Sequence, residues 1–346
     1  MDHRNDQVGW TEAQWNRVRE EVLQAWQRVR VAGSFLPIYG PLPPSTTVVP
    51  SEVLKDDDGS VDDRATAALV EIALPVILSR QQVWEDDLSS ALLQFRRRAT
   101  QLAQLEDWYI FNGTFPTTDE FAPEENGLPH YRPDLAYVNP RDDGSRRARI
   151  SGTPTPIEGV ANDLQIKGMR QRNPGSLGLI AGPGEEQQQN AAKAVLRGRP
   201  DNNTRMQAII INAINSLEDN GYVAPYVCVF GRKPFQAAFT PINNSTVLPR
   251  DRIEPIIGRE LVHASGIDIP PYRPEQPDNP DREEWPRRGV LLSMANEPID
   301  LALAAEATLE FRQVNLDGKY VFSVFERFAL RIKDVQAIVP LMFEFL

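Results

Sequence analysis

The residues able to do chemistry are few, and their spacing completes no catalytic arrangement. Glu260 and His263 stand at the E-x-x-H step that places a carboxylate and an imidazole together in di-iron bundles. Those centres need two such motifs and further glutamates on facing helices, whereas this chain has 3 His in all. His263 therefore reads as a surface or subunit-contact residue. Asp56, Asp57, Asp58 and Gly59 meet part of a calcium-loop pattern. Setting Gly59 at the sixth position puts Leu54 first and Ala65 twelfth, where acids are required, so the run reads as a solvated hairpin tip. GLIAGPG, residues 178–184, lacks the Lys-Ser/Thr of a phosphate loop and the dinucleotide fingerprint, and reads as a turn. A Ser-His-Asp hydrolase would have to use His3, His130 or His263, none of which lies near a G-x-S-x-G elbow. Cys228 is the sole cysteine, which excludes an internal disulfide and a cysteine zinc cage; set in an apolar run, it is expected to be a small buried hydrophobe. Trp84 beside Arg80 could stack a planar ligand, but a cation–π packing contact is the favoured reading. No catalytic residue and no metal site is expected.

The elements that would position these groups can be read from capping and periodicity. Thr11 and Gln14 have capping-box spacing, and Trp15, Val18, Val22, Trp26 and Val29 then recur every three or four residues. That pattern predicts an amphipathic helix stopping near Gly33. Residues 35–54 alternate Pro with β-branched side chains and read as extended chain. Residues 46–83 read as a long two-stranded arm turning at Asp58-Gly59. A lone two-stranded ribbon is marginal in water, so its apolar face must lie on something else. A long helix is predicted over 86–111, with Leu88, Leu92, Phe95, Ala99, Leu102 and Tyr109 inward, and the run Arg96, Arg97, Arg98 spread around it. Residues 114–156 and 174–203 read as irregular. A second module opens at Thr204 with a helix stripe of Met206, Ile210, Ala213, Ile214 and Leu217, ended by Gly221. A buried strand over 222–230, a helix over 249–261 and a Pro-rich loop over 270–288 follow. The carboxy-terminal part is strand-rich, and Val321, Ser323, Phe325 and Arg327 suggest one buried sheet face. The class is α+β, without a βαβ series.

Composition bounds the function. At 346 residues the chain exceeds the usual size of a single core, so two modules are expected. A net charge of −11 argues against nucleic acid as the main partner. MDHRNDQVGW has no apolar signal-peptide core, and the apolar stretch from Ala67 to Leu78 is too short to span a bilayer. A soluble, cytoplasmic protein is the expectation.

Read in order, several segments resemble the encapsulin shell proteins of the linocin-like family 1. WTEAQWNRVREEV is similar to that family's amino-terminal helix, FLPIYGPL (35–42) to the segment after it, and LEDWYIFNG (105–113) to the end of its spine helix. IEGVAND (157–163), NAINSLEDNGYVAPYVCVFG, ATLEFRQVN and ERFALRIKDVQAIVPLMF resemble later pieces. The insertions 114–156 and 270–288 depart from the shorter family pattern. The resemblance implies the tailed-bacteriophage major-capsid-protein fold, with a peripheral domain, an axial domain and an extended arm. Carried onto this chain, the division is 1–45 (amino-terminal helix and start of the peripheral domain), 46–83 (arm), 84–203 (peripheral domain with spine helix), 204–312 (axial domain) and 313–346 (closing peripheral strands).

The resemblance also implies a role without catalysis. The chain would self-assemble into a closed icosahedral shell with a multiple of sixty subunits. It would enclose a cargo enzyme, a peroxidase or a ferritin-like iron-handling protein, held by a short terminal targeting peptide. By position, the peptide site would be Val22, Trp26, Val29, Phe35, Ile38 and Tyr39. A pore would be lined by Asn243, Asn244, Ser245 and Thr246. Trp84 occupies a place similar to that of a tryptophan that binds a flavin in some members. Two alternatives stand beside this reading: a phage or prophage major capsid protein, which shares the fold, and a linocin-type bacteriocin or protease.

Overall fold

The computed structural model describes residues 7–54, 61–62, 66–112, 149–151, 196–198, 203–241, 246–267 and 288–343. In chain order the elements are α1 (Glu12–Val29), β1 (Ile38–Tyr39), β2 (Val48–Pro50), β3 (Val53–Leu54), β4 (Val61–Asp62), β5 (Thr66–Ala68), β6 (Val70–Leu78), α2 (Arg80–Val83), α3 (Ser89–Asn112), β7 (Arg149–Ser151), β8 (Leu196–Gly198), α4 (Asn203–Asp219), β9 (Tyr226–Phe230), α5 (Arg232–Ala238), α6 (Pro249–Ile257), β10 (Val262–His263), β11 (Arg288–Ser293), β12 (Ile299–Val314), β13 (Tyr320–Ile332) and β14 (Ile338–Phe343). The class is α+β, and the strands form two five-stranded sheets and two short ribbons.

The first sheet has the order β1-β12-β13-β6-β7, antiparallel except for the parallel β1–β12 pair. One face is covered by α1 and α3. Leu88, Leu92, Phe95, Ala99 and Leu102 of the long helix pack there against Val70, Ile72, Leu74 and Val76 of β6 and Phe322, Val324 and Phe328 of β13. The long helix starts later than its periodicity suggested. Ser79 and Gln82 close a separate capping box on α2, Leu88 takes a left-handed backbone at φ 54, and the Glu85 carboxylate accepts from the Ser90 N–H at 3.0 Å. The opposite face carries Ala302, Ala304 and Ala329, on which Val49, Ala67 and Leu69 of the arm root lie. Small side chains let the ribbon approach closely.

The second sheet has the order β10-β9-β11-β14-β8. Tyr226, Cys228 and Phe230 face α4, α6 and their Met206, Ile210, Leu217 and Ile253 stripe. Val227, Val229, Val290 and Leu292 face the other way and join the first core. Burial of the central strand on both sides accounts for its unbroken apolar run.

Four boundaries read from the sequence shift. Residues 70–78 are not part of the arm: β6 is an interior strand between β13 and β7, because its even-numbered apolar side chains fill the helix-covered core. β12 lies in the first sheet although residues up to 312 were assigned to the second module. β14 crosses into the second sheet, where Val339, Leu341 and Phe343 pack against the α4 side. The helix predicted over 249–261 stops at Ile257, since Gly258 turns left-handed at φ 74. The hairpin tip at Asp58-Gly59, the loop 270–288, and the stretches 114–156 and 174–203 apart from β7 and β8 fall outside the described residues. Among the described residues no helix is long and apolar enough to cross a membrane.

Candidate functional site

α1 begins as its sequence dictates. Thr11 Oγ1 accepts from the Gln14 N–H at 3.3 Å, and the Gln14 carboxamide oxygen accepts from the Thr11 N–H at 2.9 Å. Its apolar stripe then turns inward. Val22 and Trp26 have 0% exposure, so these two predicted docking residues offer no surface: they hold the helix on the sheet and on α3. Val29 and Phe35 are partly buried against the same core. The accessible members of the predicted set are Ile38, 50% exposed, and Tyr39, 44% exposed. Both stand on β1, the outermost strand of the first sheet among the described residues. The Arg331 guanidinium lies 3.8 Å from the Tyr39 ring centroid and fixes that ring. Gly40 follows at φ 143, and a Cβ there would sit 2.7 Å from the Leu303 carbonyl oxygen, so only glycine lets the chain hug β12. The result is a sheet edge carrying two exposed apolar side chains, while Val29 and Phe35 pack partly buried against the first core.

The end of α1 rests on a buried polar cluster that the sequence reading missed. The Arg30 guanidinium lies 4.0 Å from the Trp26 ring centroid and donates to Glu106 at 2.5 Å. Asp107 accepts from the Val31 N–H at 2.9 Å and the Ala32 N–H at 2.8 Å, which captures the chain as it leaves the helix. Glu326 of β13 faces the same place and is fully buried. Burial pushes Glu106 up to about 8 against the pull of Arg30, and pushes Asp107 up to about 7 against its two backbone hydrogen bonds. Glu326 is raised well above the usual carboxylate range by burial and by Glu106. The available signal was an acid inside each apolar stripe: Glu106 between Leu105 and Ile110, and Glu326 between Val324 and Phe328.

The arm root is fastened by two arginines of β13. Arg327 donates to the Thr46 carbonyl at 2.8 Å and to the Pro44 carbonyl. Arg331 donates to the Pro50 carbonyl at 2.9 Å while its other nitrogens grip both oxygens of Asp300 at 2.6 Å. Beyond this root, β3 pairs with β4 alone among the described residues.

The remaining candidates are scattered. Thr246 is exposed just before α6, while Asn243, Asn244 and Ser245 lie outside the described residues. Trp84 is 64% exposed with the Arg80 guanidinium 5.5 Å from its ring centroid, the cation–π contact anticipated, and it offers a planar ligand one open face. Glu260 and His263 share no helix, because α6 ends before them and His263 belongs to β10 beside the Phe235 ring. The Cys228 thiol is fully buried, and burial pushes its pKa up, so it is a poor nucleophile. Among the described residues no group of acids, histidines or cysteines could hold a metal ion.

Residues 2–118 match the family described as "Encapsulating protein for peroxidase". No curated protein matches the chain. Among solved structures, a virus-like particle from Pyrococcus furiosus aligns at a TM-score of 0.57 and 11% identity, over 96% of this chain and all of the other. The Mycobacterium phage Bobi structure aligns at 0.46 and 13% identity, over 94% of this chain and 90% of that one. The capsid of an empty GTA particle aligns at 0.45 and 13% identity, over 92% and 90%. The chain thus shares its fold with the Pyrococcus furiosus virus-like-particle chain, and its residues 2–118 are similar to the family described as an encapsulating protein for peroxidase.

Proposed function

We propose that this chain is a non-catalytic shell subunit that closes with copies of itself into a hollow compartment around a cargo enzyme. The observation that carries the reading is the arm. β2 and β5 rest on the alanine face of the sheet, but among the described residues the β3–β4 ribbon pairs only with itself. Such a ribbon is marginal alone and gains its stability when a neighbouring copy covers it. The match of residues 2–118 to an encapsulating family supports a cargo shell over the shared-fold alternative of a phage capsid, as does the net charge of −11. That family's name points to a peroxidase as cargo; an iron-handling ferritin-like protein is the second candidate.

The cargo site we propose is the edge of β1. An extended terminal peptide would add backbone hydrogen bonds to that edge and set apolar side chains against Ile38, Tyr39, Phe35 and Val29. Each such contact is weak, and an oligomeric cargo with several tails would gain avidity. Small solutes would enter through openings lined by Asn243, Asn244, Ser245 and Thr246, whose side chains are polar and uncharged. A cytoplasmic compartment with a multiple of sixty subunits fits this reading. Electron microscopy of the purified protein, with mass spectrometry of what co-purifies, tests it. Closed hollow particles containing a second protein are expected. Particles filled with DNA would favour the phage capsid, and a monomer would refute both.

A further inference from the structure

Of the eight buried side-chain atoms without a hydrogen-bond partner among the described residues, five meet at the end of α1: Trp26 Nε1, Arg30 Nε, Glu106 Oε2 and both carboxylate oxygens of Glu326. Three are acceptors and two are donors. Ionised carboxylates only accept, and in this arrangement neither oxygen of the buried Glu326 receives a hydrogen bond. Asp107 cannot help, since its oxygens hold the Val31 and Ala32 amides. Three carboxylates face one guanidinium. A proton on Glu326 would supply the missing donor, turn Glu326 toward Glu106 Oε2 and remove one negative charge from the pocket.

We propose that this pocket is a proton-binding site: near neutral pH one proton is held between Glu106 and Glu326, and its loss to solvent in alkali unseats residues 30–36 from the spine helix. The groups that face Glu326 are the Trp26 indole N–H and Arg30 from the end of α1, and Glu106 and Asp107 from α3. β6 sets Ile72 opposite it, and Glu71 lies on the other face with Arg327. β12 contributes Ala307 and Leu309 to that face, while Glu306 is exposed. The 265–267 turn against α3 is Ser-Gly-Ile and carries no charge. The Tyr109 phenol packs on Phe328 at 5.6 Å and is pushed up to about 12 by burial, so it keeps its proton across the range. With the shared proton gone, two adjacent carboxylates compete for Arg30. The Arg30–Glu106 contact and the Asp107 grip on residues 31 and 32 lie in the same pocket, so the chain after α1 loosens first. The site lies within one subunit and does not depend on the shell reading.

The test is peptide-resolved hydrogen exchange on the full-length protein between about pH 6 and about pH 10, corrected for intrinsic exchange chemistry. Residues 27–36 should lose about tenfold more protection over that range than the 226–230 strand, the shift expected for one titrating unit of linkage. Glu326→Gln supplies a permanent donor and should abolish the excess. If that variant fails to fold, infrared spectroscopy of the wild-type protein decides: a protonated-carboxyl band present near neutral pH must fade over the same range. Equal pH dependence of the two segments, an unchanged excess in E326Q, or no protonated carboxyl near neutrality would each overturn the proposal.

Discussion

Replacing Arg30 by Met removes the one cation from a pocket that holds Glu106, Asp107 and Glu326. The guanidinium is buried, bonds Glu106 at 2.5 Å and covers the Trp26 ring at 4.0 Å. Removing one partner of a buried ion pair strands the other in low dielectric, which costs about 3–5 kcal/mol. Methionine refills most of the apolar volume, so the loss should be mainly electrostatic. In a chain of this size the change lowers the thermal midpoint by about 10 °C. The second arm of the experiment is Arg30→Met with Glu106→Leu, which removes both ions and should restore at least about 2 kcal/mol relative to R30M alone. Differential scanning calorimetry at fixed protein concentration measures both, because assembly makes the midpoint concentration-dependent. An R30M midpoint within about 2 °C of wild type, or a double variant no better than R30M, would show that these charges are not held in low dielectric.

Further outcomes follow from the same geometry. Wild-type stability should fall as pH rises from the ordinary carboxylate range, 4.5 for Glu, toward the raised values of about 8 for Glu106 and about 7 for Asp107, because over that window the folded state binds more protons than the unfolded one. A flat unfolding midpoint across that window would contradict the assignment. Arg331→Met frees the Pro50 carbonyl and the Tyr39 ring; amides 46–50 should exchange faster and particles should vary more in diameter, while the second sheet keeps its protection. Gly40→Ala brings a methyl to 2.7 Å from the Leu303 carbonyl at a φ of 143 and should cost about 1–3 kcal/mol by denaturant titration. The pair Ile38→Asp and Tyr39→Ala should leave assembly intact and cut retention of a fluorescent reporter bearing a cargo tail about tenfold or more; unchanged loading would move the cargo site elsewhere.

Local patterns carried much of the fold. The capping box at Thr11, the stripe from Trp15 to Trp26, the long helix and the buried Cys228 strand all follow from spacing and composition, and the structure places them accordingly. Strand membership was harder. β6 sits between two strands and β13 is covered on both faces, so alternation loses its meaning there. Alternation in Val321, Ser323, Phe325 and Arg327 suggested one buried sheet face without saying which, and Phe322, Val324 and Phe328 are the residues that join the helix-covered core, with Glu326 buried among them. Register shifts along β12 blur the period further. β14 could not be assigned to the second sheet from sequence, because which sheet a strand joins depends on long-range pairing rather than on its own pattern. The docking set mixes two kinds of apolar residue that sequence alone does not separate: Val22 and Trp26 are core, whereas Ile38 and Tyr39 are exposed. Glu106 and Glu326, 220 positions apart in sequence, meet only in the folded chain.

The most direct test of the shell reading is sedimentation of the full chain beside a variant lacking residues 46–68. The full chain should run as a closed particle many times heavier than the 38.9 kDa subunit. The shortened chain should keep both five-stranded sheets and lose the particle. A full-length protein that sediments as a folded 38.9 kDa monomer, with its arm already protected from exchange, would contradict the account.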